Sequence, residues 1–91
     1  MAVAEIIRSA AAGTLESSDV YVEIAPGAGG IDFQLESVVK EQFGQAIEQV
    51  VYEVLRQHQV ENACIRMMDR GALDCVIRAR METAILRGGV A

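Results

Sequence analysis

Glu16-Ser17-Ser18-Asp19 sets two adjacent hydroxyls between two carboxylates, inside the segment Gly13-Thr14-Leu15-Glu16-Ser17-Ser18-Asp19. A hydroxyl so placed is either modified by another enzyme or closes a tight connection by hydrogen bonding to nearby backbone, as Ser and Asp side chains commonly do. On residue types alone the plain turn is the better reading, because turns of this composition are common. A third use, as a nucleophile, needs a base beside the hydroxyl and a group that orients the base. His58 is the only histidine, and no Gly-x-Ser-x-Gly elbow surrounds either serine. The segment therefore suits a domain that displays a group better than one that catalyses alone.

The remaining chemistry-bearing residues are sparse. Cys64, Cys75 and His58 lack the tight local pairs of a zinc site. The cysteines are expected as small reduced core fillers, and His58 as a polar helix-end residue whose cationic form the C-terminal dipole favours. Gly27, Gly29 and Gly30 lead into a strand instead of a helix N-terminus, so they mark a turn and not a phosphate cradle. Met1, Met67, Met68 and Met81 form no stripe and are expected in the core or at its edge. Arg78, Arg80 and Arg87 have the chemistry to hold a phosphate or a partner carboxylate, with a solvated helix face as the better reading.

Around these residues the chain divides into short elements. Ala10 to Ala25 reads as a hairpin whose second strand alternates Val20, Val22 and Ile24 with Tyr21 and Glu23. After Pro26-Gly27-Ala28-Gly29-Gly30, residues Ile31, Phe33 and Leu35 alternate in a third strand. Ser37 is expected to cap a long helix carrying Val39, Phe43, Ala46, Ile47, Val50, Val54 and Leu55 on one stripe and fraying near His58. Asn62 to Met68 reads as a fourth strand with Ala63, Ile65 and Met67 on one side. Asp69 is expected to cap a last helix across Arg70-Gly71, with Leu73, Val76, Ile77, Arg80, Ala84 and Ile85, ending at Gly88-Gly89. The order β-β-β-α-β-α predicts a two-layer α+β sandwich, with a mostly antiparallel or mixed sheet under two helices on one face. Strand order stays open, since periodicity gives faces and not neighbours.

At 91 residues, with 52% hydrophobic and 23% charged residues, the chain is expected to be a single domain over 1–91, residues 1–9 and 88–91 being mobile. The core is aliphatic, since only 4% of residues are aromatic. A net charge of -5 argues against nucleic-acid binding. Residues 1–61 hold ten acids against three bases, while residues 62–91 hold five arginines against three acids. Opposed charges of this kind help a domain to orient on partners, although ordinary solvated surface is the better reading. No signal-peptide pattern or membrane-length apolar run is present, so a cytoplasmic location is expected.

Four separated blocks then change the weighing: Ala12-Gly13-Thr14-Leu15-Glu16-Ser17 with Asp19; Ile24-Ala25-Pro26; Gln42-Phe43-Gly44 with Ala46-Ile47; and Gly71-Ala72-Leu73-Asp74-Cys75 running into Arg78-Ala79-Arg80. In this order, from about Ala11 to Arg87, the chain resembles the acyl carrier (gamma chain) family of citrate lyase. The resemblance implies a non-catalytic subunit bearing 2'-(5''-triphosphoribosyl)-3'-dephospho-CoA through a phosphodiester on a serine. By register that serine is Ser17, with Ser18 as the alternative, because the family commonly reads Ser-Gly-Asp where this chain has Ser17-Ser18-Asp19. It further implies that acetyl and citryl thioesters are presented to an alpha (transferase) and a beta (lyase) chain for cleavage of citrate to oxaloacetate and acetate. A separate transferase attaches the group, and no metal, nucleic acid or membrane takes part. Glu16 and Asp19 are expected to repel the anionic arm. The carrier subunit of malonate decarboxylase, with a similar Ser-x-Asp turn, is the nearest alternative, and a bare assembly module without a prosthetic group is another.

Overall fold

Alternation of apolar and polar residues builds the sheet of this chain, seen in a computed structural model that describes residues 5–90, the side chain of Val90 excepted. The elements in order are β1 (Glu5–Ile6), β2 (Ala10–Gly13), β3 (Val20–Ala25), β4 (Ile31–Ser37), α1 (Lys40–Gln57), β5 (Ala63–Asp69), α2 (Asp74–Gly88) and β6 (Gly89–Val90). The main sheet has the order β2-β3-β5-β4. β3 is antiparallel to both β2 and β5, whereas β4 runs parallel to β5. That parallel pair follows from its connection, because a strand reached through a crossover helix re-enters the sheet in the same direction. The mixed α+β sandwich read from the sequence is the observed fold.

One face of the sheet is dry. Ala12, Val20, Val22, Ile24, Ala63, Ile65 and Met67 are buried there against Ile47, Val50, Val51, Val54 and Leu55 of α1 and Ile77, Met81, Ala84 and Ile85 of α2. Helix α2 lies over β2 and β3, and α1 lies beside it toward β4, where Phe33 meets Tyr52 edge to face with ring centroids 6.2 Å apart. The opposite face, with Tyr21, Glu23, Cys64, Arg66 and Met68, faces solvent.

Several local expectations need correction. Ser37 does not cap α1. Its hydroxyl donates to Asp69 Oδ2 at 2.8 Å and accepts from the Val39 N–H at 3.1 Å, so the helix begins two residues later behind Val39, which makes no side-chain cap. Asp69 does not cap α2. Its Oδ1 accepts from the Ala72 N–H at 2.9 Å and closes a turn through Gly71, whose φ of 91° keeps the chain out of the helix until Asp74. Phe43 and Leu73, expected in the core, are 53% and 71% exposed. Each lies ahead of the first buried residue of its helix, Ile47 in α1 and Ile77 in α2. Cys64 and Cys75 are free and exposed instead of filling the core, Cys64 because its β5 position points to the open face.

Of the ends expected to be mobile, residues 1–4 and 91 lie outside the described residues. Within them, Glu5 pairs with Val90 and Ile6 with Gly89, and the N–H groups of Ile7 and Arg8 both donate to the Gly88 carbonyl. Among the described residues no helix is long and apolar enough to cross a membrane, and no three or more His, Cys, Asp or Glu side chains converge as a metal site.

Candidate functional site

Pairing of Val20 with Asp69, and of Asp69 with Ser37, brings three connections to one end of the sheet: residues 14–19, 38–39 and 70–73. Ser17 lies in the first of them and is exposed. The Asp19 N–H donates to the Glu16 carbonyl at 3.1 Å, which closes a four-residue turn with Ser17 and Ser18 in its middle. Ser18 has φ 65°, and a positive φ at the third position alone is the pattern of a type II turn, a position that favours glycine. The turn is braced from β5: the Ser18 N–H donates to the Arg70 carbonyl, and the Arg70 N–H to the Asp19 carbonyl, both at 2.9 Å. Neither serine hydroxyl bonds to another described residue, so the plain-turn use of these side chains is not what the fold adopts.

The strain at Ser18 gives a measurable expectation. An L-residue in the left-handed region costs about 1–2 kcal/mol, partly offset in glycine by unfolded-chain entropy. Ser18→Gly is therefore expected to stabilise the chain by about 0.5–1 kcal/mol and to raise Tm by roughly 4 °C, read by thermal unfolding. An unchanged or lower Tm would mean that the turn does not hold this geometry.

Asp19 anchors the turn from beneath. Its carboxylate accepts from Thr14 Oγ1 at 2.5 Å, from the Val20 N–H at 2.7 Å, and from Arg80 in a two-pronged contact, Nε to Oδ1 at 3.1 Å and Nη2 to Oδ2 at 3.0 Å. The Thr14 hydroxyl, then the Arg80 guanidinium and the Val20 N–H, lower its pKa from 3.8 to about 2, against a smaller opposing effect of burial. A lowered folded-state pKa adds stability that is complete above the unfolded value and disappears as pH falls through the folded one. The window runs from about pH 4 down to about pH 2. Denaturant midpoints of the wild type are expected to fall more across that window than those of Asp19→Asn. Parallel curves would remove Asp19 as the source.

This contact also revises the expectation for the two acids. Asp19 is already matched by Arg80, so only Glu16 presents unmatched negative charge beside Ser17. Arg80 is a buttress and not a free phosphate holder. Arg78 likewise pairs with Glu53 at 2.6 Å, and Arg87 donates to the Ala11 carbonyl at 2.8 Å. His58 caps the far end of α1 and meets Glu82 at 3.3 Å. Eighteen helical residues, about 27 Å of rise, separate that end from the serine end, so no imidazole reaches Ser17. The Asp19–Arg80 pair and the bracing by Arg70 were missed in the sequence, where separations of 61 and 52 residues leave no local trace.

A family model described as malonate decarboxylase delta subunit (MdcD) matches residues 7–88. The chain is 55% identical over 84 residues to citrate lyase acyl carrier protein 2 of Salmonella typhimurium, covering 91% of this chain and 87% of that one. It is also 55% identical to the citrate lyase acyl carrier protein of Serratia proteamaculans, over 91% and 82%. For that of Klebsiella pneumoniae the identity is 57% over 79 residues, covering 86% and 81%. In fold it is similar to a chain in the crystal structure of a Pseudomonas malonate decarboxylase hetero-tetramer in complex with malonate, with a TM-score of 0.80, 22% identity, and 94% and 89% coverage.

Proposed function

The chain belongs to the family of citrate lyase acyl carrier proteins, and we propose that Ser17 Oγ is the atom through which it carries a covalent prosthetic group. The group comes from 2'-(5''-triphosphoribosyl)-3'-dephospho-CoA and is joined through its innermost phosphate as a phosphodiester, with diphosphate released. When bound it supplies a thiol that carries acetyl and citryl groups between an alpha (transferase) and a beta (lyase) chain, for cleavage of citrate to oxaloacetate and acetate.

The observation that carries this reading is the turn itself. Ser17 presents a free, exposed hydroxyl at the second position of a turn held from both sides. Ser18 occupies the left-handed position where the family commonly has glycine, which favours Ser17 over Ser18 as the attachment point. The site fits a bulky anionic group: nothing covers the hydroxyl, and the neighbouring Asp19 carboxylate is matched by Arg80.

The chain's own residues hold the root of the arm in place. Thr14, Asp19 and Arg80 fix the turn, while its exposure leaves the bonds beyond Oγ free to rotate. Tethering replaces diffusional encounter by a high local concentration at each partner site. In this reading the chain is a non-catalytic subunit, working in the cytoplasm and loaded by a separate transferase.

Intact-mass spectrometry of the protein from its own host tests this. Added mass equal to the donor less diphosphate, on a peptide containing Ser17, is expected, and an unmodified chain recovered from active complex would leave a bare assembly module. Service to malonate decarboxylase is the second reading, favoured by the description of the matching family model and by the fold neighbour. Reconstitution with citrate lyase alpha and beta chains separates the two.

A further inference from the structure

We propose that Arg70 is the phosphate-binding side chain of the serine turn, an inference that rests on attachment at Ser17. Arg66, Arg78 and Arg80 are each paired with a carboxylate: Glu23, Glu53 and Asp19. Arg8 and Arg87 donate to carbonyls. Arg70 is exposed and has no carboxylate or carbonyl partner for its side chain among the described residues. Lys40 and Arg56 are also unpaired there; Lys40 opens α1 behind the 38–39 connection at the same end of the sheet but makes no bond to the turn, and Arg56 lies at the far end of α1. Arg70 is bonded to it twice, its carbonyl accepting from Ser18 and its N–H donating to Asp19. These contacts are backbone contacts, so they fix where the side chain begins without using its charge.

The charge has a use there. Arg80, the other arginine bonded to the turn, is consumed by Asp19, and Glu16 is unmatched next to Ser17, so an anion arriving at Ser17 Oγ meets repulsion that Arg70, bonded to the turn, offsets. Guanidinium suits phosphate oxygens because its planar array of donors matches them and its charge persists at any working pH. Attachment from a triphosphate donor forms the bond from Ser17 Oγ to the innermost phosphorus and releases diphosphate, with the hydroxyl proton passing to the transferase or solvent. Arg70 attracts the donor before that step and neutralises the remaining phosphodiester charge after it.

The test starts from the apo chain and the attaching transferase. Wild-type chain is loaded and the modified peptide is mapped; if it does not contain Ser17, the underlying reading fails, and not this one alone. With Ser17 confirmed, Arg70→Gln is expected to lower kcat/KM for loading about tenfold, mainly through KM. Arg70→Lys should recover most of that loss, and Arg56→Gln should leave loading unchanged.

A readout independent of the transferase uses phosphoserine incorporated at position 17 and titrated by 31P NMR. Its apparent pKa should lie below the roughly 6 of an exposed phosphomonoester and should rise in the Arg70→Gln chain. Wild-type loading kinetics in Arg70→Gln, or superimposable titration curves, would overturn the proposal.

Discussion

Ser17→Ala is expected to give a folded domain that takes up no prosthetic group, and citrate turnover by the complex assembled from it should fall to background. The two halves of that expectation have separate causes. The Ser17 side chain is exposed and bonds to no described residue, so its loss should change stability by no more than about 0.5 kcal/mol. Loss of turnover then cannot be assigned to unfolding. Loading fails because the attachment oxygen is gone. Ser18→Ala removes the neighbouring hydroxyl and should load as the wild type does. A thiol of the same class supplied free in solution should rescue turnover only weakly, lower by on the order of 10²–10⁴, the factor that tethering provides. Intact mass, circular dichroism and citrate turnover read the three parts. A loaded Ser17→Ala chain, or an unloaded Ser18→Ala chain, would move the attachment point and remove the account of the turn.

What the amino-acid order disclosed depends on how far apart the interacting residues are. The faces of β3 and β5 were legible because a period of two is a local property: Val20, Val22 and Ile24, like Ala63, Ile65 and Met67, are all buried. Helix stripes were legible in the middle and not at the ends. Val51, unassigned from spacing, is fully buried, and Met81 is buried as expected, whereas Phe43, ahead of the first buried residue of α1, is exposed. Neither expected cap formed, because both side chains serve the connections ahead of their helices. Ser37 and Asp69, 32 residues apart, bond to each other, and each also accepts from a backbone N–H ahead of its helix, Val39 for Ser37 and Ala72 for Asp69. The turn at residues 16–19 was legible as a turn, and the family resemblance singled out Ser17. The left-handed backbone of Ser18, the Arg80 buttress and the bracing by Arg70 arise from tertiary contacts that no local pattern encodes.

Those contacts converge on Gly13, where the second large effect is expected. Gly13 ends β2 with φ 93°, and a Cβ built on it would stand 1.8 Å from the Val20 carbonyl oxygen and 3.3 Å from Arg80 Cδ. Gly13→Ala therefore imposes a left-handed conformation on an L-residue, about 1–2 kcal/mol, and forces backbone apart where β2 pairs with β3, a further 1–3 kcal/mol by analogy with overpacked cores. A loss of about 3 kcal/mol is a large share of the 5–15 kcal/mol typical of a domain and corresponds to a Tm lower by on the order of 15 °C at this size. Gly29→Ala is the control, since nothing lies within 4 Å of the added Cβ and no positive φ is required there; it should stay within about 0.5 kcal/mol. The damage should also reach the serine turn in molecules that remain folded, because displacing Val20 and Arg80 disturbs two partners of the Asp19 carboxylate at once. Amide exchange at Ser18 and Asp19 should quicken in Gly13→Ala under conditions where the α1 amides stay protected. If Gly13→Ala melts with the wild type, the close approach of β2 to the Val20 carbonyl is not a feature of the protein, and the rigid footing assigned to Ser17 goes with it.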